Sequence, residues 1–228
     1  MNKTNKIIPA IMPKNLEDMK QKISLVEEYV EYIQLDLMDG EFVPEKTWLP
    51  SDESNFLEDH EAFFKDAKVN IELDLMVKNA MNKMDYWLTL HPKRVIFHID
   101  AEEHFDLLFE PTRTLLSELG IEMYIAVHVD TPLEELDDYL PFLDGIQCMG
   151  IEKVGYQGEG FDERVLSVLQ AIRSVVGEEM PLSVDGAVNE DTIDALKSAG
   201  ATHFVSGSYI YGSSDTRESI DTLANLAE

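Results

Sequence analysis

The sequence predicts an α/β fold, a single (β/α)8 TIM barrel formed by residues 1–228 as one domain. Short apolar runs, mostly rich in branched side chains, recur at a nearly regular interval, and longer segments with helical periodicity lie between them. The length of 228 residues lies near the lower end of the range for this fold. A doubly wound open sheet is the competing architecture, but the GxGxxG fingerprint that would follow its first strand is absent.

Eight apolar runs are the predicted strands of the barrel. In chain order they are KIIPAIMP, YIQLDLMD, NIELDLMV, RVIFHID, MYIAVHV, GIQCMGI, PLSVDGAV and THFVSGSYIY. After the sixth run, apolar residues at i, i+3, i+4 and i+7 predict a helix whose stripe consists of Val165, Leu166, Val168, Leu169, Ile172, Val175 and Val176. In NEDTIDALKSAG, Asn189 is the expected N-cap of a helix and Gly200 its expected end.

The charge of the chain restricts its partners. There are 45 acidic and 18 basic residues, which gives a net charge of -27. Such a surface repels nucleic acid phosphates and anionic membranes, so we expect no nucleic acid and no membrane partner. Cys148 is the single cysteine, so the chain cannot form an internal disulfide, and nothing of this kind indicates an oxidising compartment. We expect Cys148 to be a small buried hydrophobe. The early apolar run is broken by Pro9 and Pro13 and is too short for a signal-peptide core, and the predicted localisation is cytoplasmic.

Acidic side chains lie at the predicted C-terminal ends of three strands, where barrels of this kind place their active sites. Alternation along each strand predicts three inward sets: Gln34, Asp36 and Met38 on the second strand, Glu72, Asp74 and Met76 on the third, and Ser183 and Asp185 on the seventh. Unpaired charges are costly inside a barrel, so Asp36, Asp74 and Asp185 are expected to share a cation or a proton. Asp39 and Gly40 are expected to shape the turn after the second strand.

Five motifs occur in order along nearly the whole chain: LDLMDGEFVP, ELDLMV, IFHID, SVDGAV and SGSYIYG. With them the sequence resembles the ribulose-phosphate 3-epimerase family. The resemblance implies an isomerase that epimerises a phosphorylated ketopentose at C3 through an enediolate, with Asp36 and Asp185 as the catalytic acid/base pair and a metal ion held between them. It also implies a small phosphorylated sugar as partner and assembly into a homo-oligomer.

Two further groups of residues are candidates for substrate binding. By resemblance, the apolar wall around the reacting carbon is assigned to Met38, Met76 and Met149. Glycine-rich turns expose backbone N–H groups, which can bind a phosphate without any lysine. The turns GYQGEG, DGAVN and SGS supply the candidates Gly155, Gly158, Gly186, Ala187, Gly207 and Ser208.

The sequence departs from the family pattern at the metal site. The family uses two histidines and two aspartates, and Gln34 and Asp74 stand at the positions of the histidines. The predicted metal ligands are therefore Gln34, Asp36, Asp74 and Asp185, an all-oxygen set that favours a divalent ion such as magnesium, manganese or calcium over zinc. Ala10 replaces an early family serine, and the loop MGIEKVGYQGEGF carries an extra residue and lacks the usual Asn-Pro-Gly start.

Two other functions stay open. A decarboxylase or aldolase-type lyase on the same barrel would use a carboxylate-rich magnesium site with Glu72 and Asp74, although such enzymes place a lysine at the end of the third strand and ELDLMV has none. A catalytically inactive phosphosugar-binding protein or partner subunit is the second, because the family histidines and serine are missing. His98 and His128 end neighbouring strands and are candidates to face the site. The other histidines are expected at the surface or in loops: His60, His91, His104 and His203.

Overall fold

The computed structural model describes residues 3–49, 63–156 and 158–228, and its centre is a closed barrel of eight parallel strands. The strands are β1 Ile7–Ile11, β2 Tyr32–Met38, β3 Asn70–Met76, β4 Arg94–His98, β5 Glu122–Val127, β6 Gly145–Met149, β7 Leu182–Asp185 and β8 His203–Ser206. Each strand pairs with its neighbours in chain order, and β8 closes the ring against β1. The predicted TIM barrel is confirmed, because each predicted apolar run overlaps one strand.

Helices surround the barrel in the described parts of the chain. They are α1 Leu16–Val26, α2 Met84–Trp87, α3 Phe105–Glu118, α4 Arg164–Val176, α5 Ile193–Ser198, α6 Ser208–Tyr211 and α7 Thr216–Ala227. Two crossovers are shorter than the sequence suggests, since α2 has only four residues and two 3-10 turns, Leu133–Leu136 and Leu140–Phe142, connect β5 to β6. Pro132 and Pro141 lack the N–H that a continuous α-helix needs there. Within the described residues no helix is both long and apolar enough to cross a membrane.

The helix ends follow local capping chemistry. The Asn15 side chain caps α1 by accepting a backbone hydrogen bond over 2.8 Å. The expected cap at Asn189 is wrong, because its side chain accepts the N–H of Asp191 in a turn and α5 begins only at Ile193. Gly200 follows the end of α5 with a φ of 111°, as expected for a helix stop.

The apolar stripe predicted on α4 lies only partly in the core. Val165, Leu169 and Ile172 are buried, whereas Val175 is 66% exposed near the C-terminal end of the helix. Helical spacing therefore identifies the buried face but not the point along the helix where that face leaves the core.

The pairing of β2 with β3 positions the inward acids. The two strands pair along their full length, so Gln34 lies opposite Glu72 and Asp36 lies opposite Asp74. Opposed residues of paired strands share one face of the sheet. The residues between them, such as Leu35, belong to the apolar layer between the strands and the helices. Both inward sets therefore project into the barrel at matching heights.

A buried ion pair fills the barrel interior near the N-terminal ends of the strands. The Arg94 guanidinium contacts Glu72 over 2.5 Å and Glu122 over 2.8 Å, and it lies over the rings of Tyr32 and Tyr124. The Arg94 and Glu72 side chains are 5% and 0% exposed. Burial raises the pKa of Glu72 to about 7 against the opposing charge of Arg94. At this end of the barrel, the buried carboxylate of Glu72 is thus compensated by the positive charge of Arg94.

His203 lies at the start of β8 and is only partly exposed, so its expected position at the surface or in a loop is wrong. Burial lowers the pKa of His203 to about 4, and the charge of Arg94 acts in the same direction. His91 and His104 are exposed as expected, whereas His60 lies outside the described residues.

Candidate active site

A cavity opens at the C-terminal ends of the strands, and Asp36 and Asp185, the predicted catalytic pair, both line it. The predicted substrate-binding residues line it as well: Met38, Met76, Met149, Gly155, Gly158, Gly186, Ala187, Gly207 and Ser208. Ala10, at the position of the family serine, also belongs to the lining. Gln34 and Asp74, the other two predicted metal ligands, are fully buried; Gln34 contacts both lining acids, and Asp74 contacts Gln34.

Gln34 connects the acidic groups of the site. Its Nε2 donates to Oδ1 of Asp36 over 2.8 Å and to Oδ2 of Asp185 over 2.7 Å, and a longer contact of 3.4 Å reaches Oδ2 of Asp74. The other amide atom, Oε1 of Gln34, is buried and has no hydrogen-bond partner among the described residues. A neutral donor therefore joins the two acids at a position where the family pattern has a histidine.

Asp74 is the most enclosed of the three acids, with none of its surface exposed. Its Oδ1 lies 2.8 Å from Nε2 of His98 at the end of β4, and its Oδ2 accepts a hydrogen bond from Nε2 of Gln147 over 3.1 Å. His98 thus faces the acidic cluster, as the sequence suggested. Sequence reasoning missed Gln147, although strand alternation puts it on the inward face of β6 together with Met149.

Burial raises the pKa values of the two acids that line the cavity. It raises the pKa of Asp36 to about 7, and the nearby charge of Asp74 adds to the effect. Burial also raises the pKa of Asp185 well above its usual range, and the nearby charges of Asp36 and Asp74 raise it further. Hydrogen bonds from Gln34 oppose both shifts. The pair can therefore retain a proton near neutral pH, which is what acid/base chemistry requires.

The acidic cluster fits a divalent cation. Asp36, Asp74 and Asp185 offer carboxylate oxygens that all lie within 4.8 Å of one another. In the described parts of the chain, His98 is the one basic side chain in ion-pair contact with any of the three. The amide of Gln34 presents Nε2 to the three carboxylates, so its unpartnered Oε1 would face a cation between them only after rotation of the amide. Carboxylate and amide oxygens are donors that magnesium, manganese and calcium prefer, so the residues present suit the predicted all-oxygen site.

Glycines in left-handed conformations form the turns after β6 and β7. Their φ angles are +92° at Gly155, +78° at Gly158 and +107° at Gly186, values that other residues rarely adopt. At Gly186 a Cβ atom would also lie 2.9 Å from the side chain of Ile151. None of the described residues that line the cavity is a lysine or an arginine. Phosphate binding in this cavity would therefore depend on neutral donors, namely backbone N–H groups and hydroxyl groups such as that of Ser208.

Asp39 and Gly40 shape the turn after β2, as expected. One carboxylate oxygen of Asp39 accepts two backbone N–H groups of its own turn, and the other accepts the N–H of Lys78 over 3.0 Å. Gly40 has a φ of +76°. The turn brings the ring of Phe42 against that of His98, with centroids 5.3 Å apart. The segment after β2 is thus in contact with the residue that holds Asp74.

Three other polar or reactive candidates lie away from the cavity. Nε2 of His128 contacts the carbonyl oxygen of Glu152 over 2.9 Å and does not contact the acids. Cys148 is fully buried as expected, and burial raises the pKa of its thiol to about 12, which makes it a poor nucleophile. Glu72, which the lyase hypothesis would use, is bound by Arg94 deeper in the barrel.

Comparison with known protein families shows to which family this chain belongs. The model of the family described as "Ribulose-phosphate 3 epimerase family" matches residues 6–211. The chain belongs to this family. The ribulose-phosphate 3-epimerase of Mycobacterium tuberculosis is 30% identical over 227 residues, which cover 97% of this chain and 92% of that protein. The ribulose-phosphate 3-epimerase of Helicobacter pylori is 26% identical over 226 residues, which cover 98% of each chain.

Solved structures of other barrels share the fold of this member of the ribulose-phosphate 3-epimerase family. A 3-keto-L-gulonate-6-phosphate decarboxylase from Vibrio cholerae aligns with a TM-score of 0.73 at 13% identity, over 98% of this chain and 97% of that chain. A 3-hexulose-6-phosphate synthase from Salmonella typhimurium aligns with a TM-score of 0.71 at 13% identity, over 97% and 98% of the two chains. These similarities support the fold alone.

Proposed function

We propose that the protein epimerises a phosphorylated ketopentose at C3 by proton transfer on opposite faces of the sugar. The observation that carries this proposal is the position of Asp36 and Asp185, which line one cavity from β2 and β7 and share the amide of Gln34. Membership of the ribulose-phosphate 3-epimerase family supports the same reaction.

Asp36 and Asp185 divide the proton transfer between them. One carboxylate removes the C3 proton, and the other, in its acid form, donates a proton to the opposite face of the resulting enediolate. In the cation-free site, burial raises the pKa values of both groups, so the pair can hold the proton that this division needs. Gln34 limits the distance between the two side chains. The roles exchange in the reverse reaction.

The remaining lining residues bind and shield the substrate. The three methionines of the lining form an apolar wall that excludes water from the reacting carbon. The glycine turns after β6, β7 and β8 bind the phosphate through backbone N–H groups. The four predicted metal ligands would hold a divalent cation such as magnesium or manganese, and that cation would act as a Lewis acid towards the substrate oxygens.

The test is the exchange of the C3 hydrogen of ribulose 5-phosphate in deuterated water. We expect the protein to introduce deuterium at C3 while it forms the epimer. Asp36→Asn and Asp185→Asn should each lower epimer formation by about 10²–10⁴-fold, the usual contribution of a general acid or base, and the variant that lacks the proton-abstracting carboxylate should also lose exchange. Asp194→Asn, a change at a 72% exposed side chain on α5, is the matched control and should keep the full rate. Undiminished epimer formation in either of the first two variants would remove that residue from the mechanism.

The same experiment separates the alternative functions. A lyase would release carbon dioxide or an aldehyde, and a binding protein would bind the sugar phosphate without exchange or turnover. Lys78, the first lysine after β3, is 45% exposed and pairs with Glu103 over 2.8 Å, so it does not favour the lyase. The cytoplasmic localisation, the single domain and the homo-oligomer stay predictions of the sequence.

A further inference from the structure

His98 contacts the one acid of the cluster that does not line the cavity. Its Nε2 lies 2.8 Å from Oδ1 of Asp74, and Gln147 donates to the other oxygen over 3.1 Å. The side chains of His98 and Asp74 are 4% and 0% exposed. A hydrogen bond in such a water-excluded place is electrostatically stronger than one at the surface. The Asp74 carboxylate is therefore held at both of its oxygens.

The surroundings of His98 fix the ring as well. A carboxylate that binds a cation only accepts hydrogen bonds, so in that role of Asp74 the donor in this contact is Nε2 of His98. Phe42 packs against the imidazole at an interplanar angle of 53°. The backbone of His98 pairs with Ala126 of β5, which places it on a rigid strand. The ring is thus confined between a strand and an aromatic side chain.

The two inward acids of β3, Glu72 and Asp74, have different kinds of bonding partner. Glu72 contacts the guanidinium of Arg94, which carries a full positive charge. Asp74 is held by an imidazole and by side-chain amides instead. Each carboxylate oxygen has two lone pairs, so single N–H donors orient the group and leave acceptor sites free. Such partners suit a carboxylate that must stay in place and still attract a cation.

We propose that His98 is a positioning residue of the cation site: its hydrogen bond, together with that of Gln147, holds Asp74 beside Asp36 and Asp185 so that the three carboxylates bind one divalent cation. The inference rests on the cation role in the proposed function and assigns to His98 no contact with the ion. Loss of a side chain that orients a metal ligand typically lowers metal affinity by about 10–100-fold. The same range is expected for His98.

The test measures the binding of Mn²⁺ in the absence of substrate, by the disappearance of the free-ion signal in electron paramagnetic resonance. His98→Leu removes the N–H donor and should raise the dissociation constant for Mn²⁺ by about 10–100-fold. His98→Gln retains an N–H donor and should bind more tightly than His98→Leu. Gln147→Leu releases the other oxygen of Asp74 and should weaken binding in the same direction. Circular dichroism verifies that each variant is folded.

His128→Leu is the matched control, because this histidine follows the neighbouring strand, and among the described residues the hydrogen bonds and ion pairs of its imidazole involve Glu152 and Asp130 rather than the three acids. Its Mn²⁺ affinity should equal that of the wild type. Equal Mn²⁺ affinity of the wild type and both His98 variants, or no Mn²⁺ binding by the wild type, would overturn the proposal. Exchange at C3 of ribulose 5-phosphate is measured separately. If the wild type binds Mn²⁺ without catalysing exchange, and His98→Leu lowers the Mn²⁺ affinity, the positioning role of His98 is supported and the epimerase function is refuted.

Discussion

Gln34 and Asp185, which come from β2 and β7, are joined by a hydrogen bond of 2.7 Å. The same amide nitrogen reaches Asp36 over 2.8 Å, so a neutral group lies between two acids that repel each other. A carboxamide can turn either its N–H donors towards acids or its oxygen towards a cation. The side chain at position 34 therefore links the proton chemistry of the site to its choice of metal.

Gln34→His should move the cation preference of the site towards zinc. Imidazole is a preferred ligand of Zn²⁺, whereas oxygen donors suit Mg²⁺ and Mn²⁺. We expect the ratio of Zn²⁺ affinity to Mg²⁺ affinity to rise by about tenfold or more, measured by competition titrations with both ions. Gln34→Asn keeps the amide and serves as the control. A ratio that is the same in all three proteins would show that residue 34 does not contact the ion.

Arg94→Met should destabilise the barrel by about 3 kcal/mol, because it leaves the Glu72 carboxylate buried without its charge partner. The double variant Arg94→Met with Glu72→Gln removes both charges and should recover part of this loss. Urea unfolding at constant pH measures the free energy of unfolding of each protein. If the double variant is no more stable than Arg94→Met, the lost ion pair is not the cause.

His203 should contribute to the loss of stability in acid. Burial lowers its pKa to about 4 in the folded protein, from a value of 6.5 without the fold. The unfolded chain therefore takes up the proton first, and the stability that depends on neutral His203 is complete above pH 6.5 and is lost as the pH falls towards 4. Between pH 7.5 and pH 5, His203→Gln should lose about 2 kcal/mol less stability than the wild type.

Urea unfolding at both pH values measures this difference. His104→Gln, at an exposed histidine, is the control and should follow the wild type. An equal pH dependence of His203→Gln and the wild type would contradict the assignment.

Gly145→Ala should destabilise the barrel by about 1–3 kcal/mol, because the added Cβ atom would collide with the ring of Tyr124 on the adjacent strand. Gly160→Ala is the matched control, since nothing lies within 4 Å of the Cβ position there. Thermal unfolding measures both. Equal melting temperatures of the two variants would mean that the Tyr124 ring moves aside at little cost.

Strand alternation was sufficient to predict which acids converge. Asp36, Asp74 and Asp185 come from three strands, and their convergence follows once the chain is a closed parallel barrel, since all strand ends of one kind then meet at one face. The glycine turns at Gly155 and Gly186 were predictable for the same reason, because they follow strand ends. These features depend on local patterns and on fold class only.

Contacts across the barrel could not be predicted in this way. His98 and Gln147 reach Asp74 from β4 and β6, and which side chains meet at one height depends on the stagger of the strands rather than on local pattern. His203 looks like a polar residue before a strand, yet its burial and the charge of Arg94 lower its pKa. Both outcomes are set by residues distant in sequence.

The lack of cationic side chains among the described residues that line the cavity also affects how fast a phosphorylated substrate would reach it. A phosphate dianion meets a chain of net charge -27 and, among the described lining residues, no cationic side chain. Long-range repulsion slows its approach, and dissolved salt weakens that repulsion beyond about 10 Å at 0.1 M ionic strength. Association should therefore become faster as ionic strength rises, opposite to the behaviour of phosphate sites built from lysine and arginine. We therefore expect a phosphorylated sugar to bind faster in a salt-rich solution than in a dilute one.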